Sequence, residues 1–151
     1  MAVVKFVNES YKKKADMVGL LNYIARYADF VSGFGISIDC IERVFYEFEC
    51  VKKYWDKEEE GRRQVRHLVV SFKKSNLSFD TVCEIAWKIG TLYGNRYQVF
   101  YGVHTDTDHF HIHFAINTVS FIDGTMFSEG YSDLVNLKKN ISIVENSYQR
   151  I

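Results

Sequence analysis

Four of the five histidines of the chain lie within ten residues of one another, at positions 104, 109, 111 and 113. From Ile112 onward, apolar residues alternate with His113, Ala115 and Asn117, a pattern typical of a half-buried β-strand. His111 and His113 then lie on one face of that strand, about 6.6 Å apart along it. This spacing allows two imidazoles to bind the same metal ion.

His104 is the expected third ligand. It ends a β-rich run, residues 96–103, and the six residues between it and His111 allow the chain to fold back. Three imidazoles leave coordination positions open, as catalytic metal sites do, whereas a structural site would more often use cysteine, and none is nearby. A lone strand histidine is usually just a hydrogen-bonded polar residue, but this clustering favours a metal site, with His109 as the substitute ligand for His104.

Hydrophobic periodicity predicts the elements that position these residues. A strand at 2–7 precedes a helix that has Asp16 as its N-cap and Tyr23 at the border of its apolar stripe. Residues 30–37, which include two glycines, are predicted to form a mobile loop. The further predicted elements are a helix at 38–55, a strand at 65–72, a helix at 79–94, strands at 96–103 and 111–119, and a helix at 132–148. This order predicts an α+β fold with a mainly antiparallel central sheet flanked by helices.

The composition indicates a single globular domain over residues 1–151, with 47% apolar and 25% charged residues. No signal-peptide pattern and no apolar run of membrane-span length is present, so a cytoplasmic protein is predicted. The three cysteines, Cys40, Cys50 and Cys83, are therefore expected to be buried free thiols. The net charge of zero argues against a strongly basic nucleic-acid binder, although residues 1–75 carry an excess of three positive charges in clusters that could follow a phosphate backbone.

The histidine motif resembles the third motif of the relaxases that mobilise plasmids and integrative elements, in the spacing His104-x-Asp106-x4-His111-x-His113-x3-Asn117. These proteins are HUH endonucleases, named for a histidine–hydrophobic–histidine sequence. Leu21-Asn22-Tyr23-Ile24 is similar to their first motif, and Arg66-His67-Leu68-Val69-Val70-Ser71-Phe72 is similar to the strand that they carry between the two. The tyrosine precedes the histidines, as in relaxases and unlike in rolling-circle replication initiators.

The resemblance implies the HUH endonuclease fold and a site- and strand-specific nick in single-stranded DNA at a transfer origin, for conjugative mobilisation. It implies Tyr23 as the nucleophile, a 5′-phosphotyrosyl intermediate, and Mg²⁺ or Mn²⁺ on His104, His111 and His113. Accessory relaxosome proteins in the bacterial cytoplasm would be its partners. Three nitrogen ligands by themselves lean toward Zn²⁺ or Mn²⁺.

Other residues have candidate supporting roles. Asp106 could hold an imidazole N–H or assist deprotonation of the nucleophile, or it could simply be a turn residue. Tyr27 is a second candidate nucleophile, one helical turn after Tyr23. Three further side chains that could line the site are Asn117, His67 and Ser71.

Two departures from the family keep other functions open. The lysine–threonine pair common after the first motif is absent. Relaxases are also commonly longer, and for that reason the chain is expected to be a natural short version or an N-terminal relaxase domain. One alternative is a non-catalytic module of the same fold that binds origin DNA. The other is a small zinc hydrolase that uses His104, His111 and His113 with Asp106 as its base.

Overall fold

The computed structural model describes residues 2–75 and 77–149. This part of the chain contains five strands and four helices. In chain order they are β1 (Val3–Phe6), α1 (Lys14–Arg26), β2 (Ala28–Phe34), α2 (Ile41–Tyr54), β3 (Val65–Lys73), α3 (Phe79–Gly94), β4 (Val99–His104), β5 (His109–Asn117) and α4 (Tyr131–Gln149). None of these helices combines the length and the apolar character needed to cross a membrane.

The strands form one sheet in the order β1-β3-β5-β4-β2, and every neighbouring pair is antiparallel. The predicted α+β fold with an antiparallel sheet is therefore confirmed. The chain folds back between β4 and β5 so that His104 lies directly opposite His111. His113 lies opposite Gly102 on one side and Val69 on the other.

The two faces of the sheet carry different cores. Ile112, Phe114 and Ile116 point away from the histidines and pack with α3 and α4, as the alternation in β5 predicted. The face that carries His113 is covered by α1 and α2, through a cluster that includes Leu21, Ile24 and Phe48. Burial of each such side chain contributes about 1.5–3 kcal/mol. The histidines thus stand at the margin of a packed layer that fixes α1 against the sheet.

The prediction of a mobile loop at 30–37 is wrong, because most of this segment is strand β2, paired with β4. A Cβ at Gly33 would lie 2.7 Å from the carbonyl oxygen of Val99, so this glycine permits the close pairing of the two strands. The ring of Phe34 lies against Gly90 and Gly94 of α3, where added Cβ atoms would overlap it. These long-range contacts override the local loop signal of the glycines.

Three smaller predictions also need correction. Asp16 is not the N-cap of α1: the helix begins at Lys14, and the Asp16 carboxylate accepts a hydrogen bond from the Lys13 N–H at 3.1 Å, as an acid in the first turn can. Helix α2 begins at Ile41 rather than at residue 38, with Cys40 as its N-cap. The cysteines are free but not buried: Cys40 and Cys50 are exposed and Cys83 is half-buried. Cys40 precedes α2 and Cys50 lies off the buried face of that helix, whereas Cys83 is partly buried against the core that α3 covers.

Candidate metal and nucleophile site

The three predicted ligand histidines lie at the end of the central strand pair, on the face of the sheet covered by α1. His104 is the last residue of β4 and is opposite His111, and His113 follows two residues later in β5. The ring centroids of His104 and His113 are 4.4 Å apart, and those of His111 and His113 are 6.3 Å apart. His104 and His113 are only 2% and 7% exposed, whereas His111 is half-buried beside the hairpin.

Hydrogen bonds orient each of the three rings. His104 Nε2 lies 2.9 Å from the carbonyl oxygen of Ile24, which can only accept, so Nε2 carries the proton and Nδ1 has the free lone pair. His113 Nδ1 lies 2.9 Å from Nε2 of His67, which leaves Nε2 of His113 facing the site. His111 Nδ1 is 3.3 Å from the hydroxyl oxygen of Thr107. One nitrogen of each ring is therefore occupied and the other is available, as in metal-ligating histidines.

The spacing of the rings tests whether a cation fits. With metal–nitrogen bonds of about 2.1 Å, two imidazoles on one ion have ring centres about 5 Å apart. The pair His104–His113 is close to this separation and the pair His111–His113 exceeds it. Over residues 2–75 and 77–149, no three His, Cys, Asp or Glu side chains converge on one ion as they stand. Only the His104–His113 pair has the spacing of two ligands on one cation, so the half-buried His111 ring would have to turn toward the other two to complete the donor set.

Burial favours the neutral form of three imidazoles at the site, those of His113, His67 and His111. It lowers the pKa of His113 to about 3, with the neighbouring histidines acting in the same direction. Burial likewise lowers the pKa of His67 to about 4. The pKa of His111 is lowered as well, mainly by burial and then by His109, against an opposing effect of Asp106. At neutral pH these rings are therefore in the form that binds a metal.

Tyr23 stands edge-on against two of the three histidines. Its ring centroid is 5.2 Å from that of His113 and 5.4 Å from that of His104, and the residue is 43% exposed. Helix α1 buries Leu20, Leu21 and Ile24, so Tyr23 lies at the border of the apolar stripe, as predicted. Its ring packs on the histidines while the side chain stays accessible to a substrate.

Tyr27 lies close by but at the outside of the group. Its ring is 5.5 Å from that of Tyr23 and 6.2 Å from that of His104. The Arg26 guanidinium lies over the Tyr27 ring at 5.4 Å. Of the two candidate nucleophiles, Tyr23 is thus the one that contacts both His104 and His113.

Residues 23–149 match the sequence model of the relaxase nuclease domain of the MobA/VirD2 type. The chain belongs to this relaxase family. The matched segment begins at Tyr23 and includes all three histidines. The chain is also 25% identical over 139 residues to Protein rlx of Staphylococcus aureus, an alignment that covers 92% of this chain and 40% of that relative. The chain thus spans less than half of the length of the relative that it matches.

Of the other residues predicted to support the site of this relaxase domain, only some lie close to the three histidines. Asp106 lies exposed in the loop between β4 and β5, and within the described part of the chain it makes no hydrogen bond to an imidazole. Ser71 is half-buried in β3, directly opposite His111. His109 is half-buried, with its ring 6.1 Å from that of His111.

Asn117 is directed into the protein interior and away from the histidines. Its side-chain oxygen accepts a hydrogen bond from Lys52 Nζ at 2.5 Å. Its amide group donates to the Phe48 carbonyl at 3.1 Å and to the Gln98 side chain at 2.8 Å. Asn117 therefore joins α2 to β5 and does not line the site.

Sequence reasoning missed Tyr11 and underrated His67. The Tyr11 hydroxyl is 3.0 Å from Nδ1 of His67, whose other nitrogen is bonded to His113. Both residues line a groove of about 790 Å³, which also reaches Tyr23 and His113. The shared strand face of His67 was a usable signal, but nothing in the polar segment after β1 distinguished Tyr11 from the other tyrosines.

Proposed function

We propose that this chain is a relaxase domain that makes a site- and strand-specific nick in single-stranded DNA at a transfer origin. The observation that carries the proposal is the edge-on contact of Tyr23 with His104 and His113, at 5.4 and 5.2 Å between ring centroids. A side chain able to attack phosphorus stands beside two groups able to hold a cation. Membership of the relaxase nuclease family supports the same conclusion.

In this proposal His104, His111 and His113 hold a divalent cation, Mg²⁺ or Mn²⁺, with Zn²⁺ also compatible with three nitrogen ligands. When bound, the cation would supply charge neutralisation for the non-bridging oxygens of the scissile phosphate. The protein supplies the orientation: Ile24 and His67 hold the rings of His104 and His113 through hydrogen bonds of 2.9 Å. Neutral rings leave the full charge of the ion available to the phosphate.

Tyr23 is the nucleophile in the proposed reaction. Its hydroxyl oxygen forms a bond to phosphorus as the bond from phosphorus to the 3′ oxygen of the preceding nucleotide breaks. A phenol is mostly protonated at neutral pH, so its proton passes to water or a nearby base, and the departing 3′ oxygen takes up a proton. The products are a 5′-phosphotyrosyl adduct and a free 3′-hydroxyl. One phosphodiester replaces another, so the same site can rejoin the strand.

A strand can reach Tyr23 through the groove of about 790 Å³ beside it. The connection that forms one wall of this groove carries the exposed side chains of Lys12 and Lys13, which can contact phosphates. In duplex DNA the scissile strand is paired, so accessory proteins at the origin would have to expose it. Single-stranded origin DNA is therefore the substrate of the proposed reaction.

One observation favours a second candidate function, a non-catalytic module that binds origin DNA. The 6.3 Å separation of the His111 and His113 rings is wider than that of two ligands on one ion. If His111 did not rotate inward, the chain could keep the fold and its DNA groove without the metal chemistry. The following assay distinguishes the two functions.

The test is covalent capture of DNA by the whole chain. Labelled single-stranded oligonucleotides that tile the DNA next to the coding sequence are incubated with protein and Mn²⁺, Mg²⁺ or EDTA, and adducts are resolved on denaturing gels. Wild type and Tyr27→Phe should form a metal-dependent adduct with one oligonucleotide, and Tyr23→Phe should form none. Tyr54→Phe, at an exposed tyrosine of α2, is the matched control.

An adduct that persists in Tyr23→Phe and disappears in Tyr27→Phe would move the nucleophile to Tyr27. Binding of one oligonucleotide without any adduct, equally with metal and with EDTA, would instead support the binding module. Either result would overturn the transesterification mechanism with Tyr23 as its nucleophile.

A further inference from the structure

Three side chains are joined end to end behind the histidine site. The Tyr11 hydroxyl is 3.0 Å from His67 Nδ1, and His67 Nε2 is 2.9 Å from His113 Nδ1. His67 is 6% exposed and has both ring nitrogens engaged. The far end of the series is the His113 ring, which contacts Tyr23.

The sheet register brings the two histidines together. His67 lies opposite Ala115, and His113 lies opposite Val69, so His67 and His113 are diagonal neighbours on one face. Diagonal neighbours are about 7–8 Å apart at Cα, within reach of two aromatic rings. Because Ala115 carries only a methyl group, it leaves room for the His67 ring between the strands.

Tyr11 is held in place by its own backbone. Its φ angle of 45° turns the chain sharply after β1. The N–H of Gln64 donates to the Tyr11 carbonyl at 2.8 Å, and the N–H of Gly61 donates to the Lys12 carbonyl at 3.1 Å. The segment is therefore fastened to the chain just before β3, the strand that carries His67.

We propose that His67 and Tyr11 are positioning residues that hold His113 in the tautomer with its proton on Nδ1 and its lone pair on Nε2. This inference rests on the proposed function, since it concerns the delivery of His113 to the cation. Asp106 was the sequence-based candidate to hold an imidazole N–H. In this inference His67, supported by Tyr11, has that role instead.

Proton positions along the series allow two arrangements. In the first, His113 Nδ1–H donates to His67 Nε2, and His67 Nδ1–H donates to the Tyr11 oxygen. In the second, the Tyr11 hydroxyl donates to His67 Nδ1, and His67 Nε2–H donates to His113 Nδ1, which puts the remaining proton of His113 on Nε2. Only the first leaves a lone pair on the nitrogen that faces the site. Metal binding therefore requires the first arrangement, in which His113 donates to His67 and His67 donates to Tyr11.

Titration of Mn²⁺ into the full chain by calorimetry tests this arrangement. His67→Leu removes the acceptor of His113 Nδ1–H, and loss of such a partner lowers metal affinity by about 10- to 100-fold. His67→Gln should retain most of the affinity, because its amide oxygen can accept the same hydrogen bond. Tyr11→Phe should weaken binding less than His67→Leu, since water in the groove can replace the hydroxyl. Tyr54→Phe should not change it.

A second readout, on metal-free protein, does not depend on binding. Two-bond nitrogen–proton correlations of the ¹⁵N-labelled imidazoles should place the proton of both His67 and His113 on Nδ1. The variant His67→Gln should keep this pattern for His113, and His67→Leu should lose it.

The two possible failures are distinguishable. If wild type binds no Mn²⁺, the proposed function fails, and the tautomer spectrum still tests the inference. If wild type binds Mn²⁺ but His67→Leu binds equally well, or if the His113 proton resides on Nε2, the inference is overturned. Equal losses in His67→Leu and His67→Gln would also overturn it, since they would indicate that only the ring's packing matters.

Discussion

The Nε2–H of His104 donates a hydrogen bond of 2.9 Å to the carbonyl oxygen of Ile24. Ile24 lies in the last turn of α1, where carbonyl groups have no partner within the helix. The same bond orients a candidate ligand and satisfies a helix end. Because Tyr23 precedes Ile24, the bond also sets the distance between the proposed nucleophile and the histidines.

Loss of this bond should destabilise the fold. His104→Leu leaves the buried carbonyl of Ile24 without a donor, which should lower the free energy of unfolding by about 1–3 kcal/mol in urea denaturation. His111→Leu is the matched control, since His111 is half-buried and its Nδ1 makes a longer, 3.3 Å contact with the exposed Thr107. We expect that control to change stability by less than about 1 kcal/mol. Equal losses in the two variants would contradict this role of the His104–Ile24 bond.

Gly102 controls how closely α1 approaches the sheet. A Cβ at this position would lie 2.9 Å from the Ala28 Cβ and 3.2 Å from the Ile24 carbonyl oxygen. Gly102→Ala should therefore displace the end of α1, lower the free energy of unfolding by about 1–3 kcal/mol, and reduce adduct formation more than Mn²⁺ binding.

Gly19→Ala provides the comparison for Gly102→Ala. Gly19 is on α1 itself, and among the described residues no atom outside its chain neighbours and its own helix backbone lies within 4 Å of a Cβ added there. Replacement of a helix-interior glycine by alanine should stabilise the fold by about 0.5–1 kcal/mol. Chemical denaturation should show a lower free energy of unfolding for Gly102→Ala and a higher one for Gly19→Ala. Destabilisation by Gly19→Ala would contradict the assignment of the Gly102→Ala effect to crowding.

Lys52 should make stability depend on pH. Burial lowers its pKa to about 7, with Glu49 opposing this shift and Lys14 adding to it. The unfolded lysine titrates near pH 10.4, so between about pH 7 and 10 the unfolded chain binds more protons than the folded chain. The contribution of Lys52 to stability therefore improves as pH rises through this window, by on the order of 4 kcal/mol in total, and is least favourable below pH 7.

Denaturation curves between pH 7 and 10 for wild type and Lys52→Met check this effect. The variant should lose the upward slope that Lys52 contributes, while Lys53→Met, at an exposed neighbouring position, should keep it. Lys52→Met also leaves Asn117 Oδ1 without its donor, so the difference in slope, and not the absolute stability, is the quantity to compare. Parallel curves for wild type and Lys52→Met would contradict the lowered pKa.

The proposed cation site should be visible as ligand-induced stabilisation. At a Mn²⁺ concentration 100 times its dissociation constant, the free energy of unfolding should rise by about 2.7 kcal/mol. Wild-type protein should show this rise in thermal unfolding and lose it in EDTA, and His113→Ala should show none. The same rise in His113→Ala would place the binding site elsewhere in the chain.

The local sequence pattern was sufficient to predict strand β5 and the position of Tyr23 on its helix. Two-residue alternation in β5 and helical spacing in α1 are set by nearby residues, and both placed their side chains on the correct face. Strand β2 was missed because it forms by pairing with β4, which lies far along the sequence and leaves no trace in the local composition.

The hydrogen-bonded series from Tyr11 through His67 to His113 could not be predicted from the sequence, for a related reason. His67 and His113 meet through the register of β3 and β5, at a sequence separation of 46 residues. Tyr11 reaches His67 only because of a left-handed backbone conformation, which is uncommon for a residue other than glycine. Asn117 shares the strand face of His113, yet α2 covers it, and the packing of that helix could not be read from β5 alone.

Strands β4 and β5 are joined by residues 105–108, and the three histidines all lie on this hairpin. Closure of so short a loop costs little chain entropy, so the histidines come together through contacts near in sequence. Tyr23 is instead placed beside the histidines by the packing of α1 across the sheet. Partial opening of the molecule at α1 would therefore separate Tyr23 from the hairpin and would also release the hydrogen bond that orients His104. In the proposed chemistry, the docking of α1 would therefore couple strand cleavage to the presentation of one cation ligand.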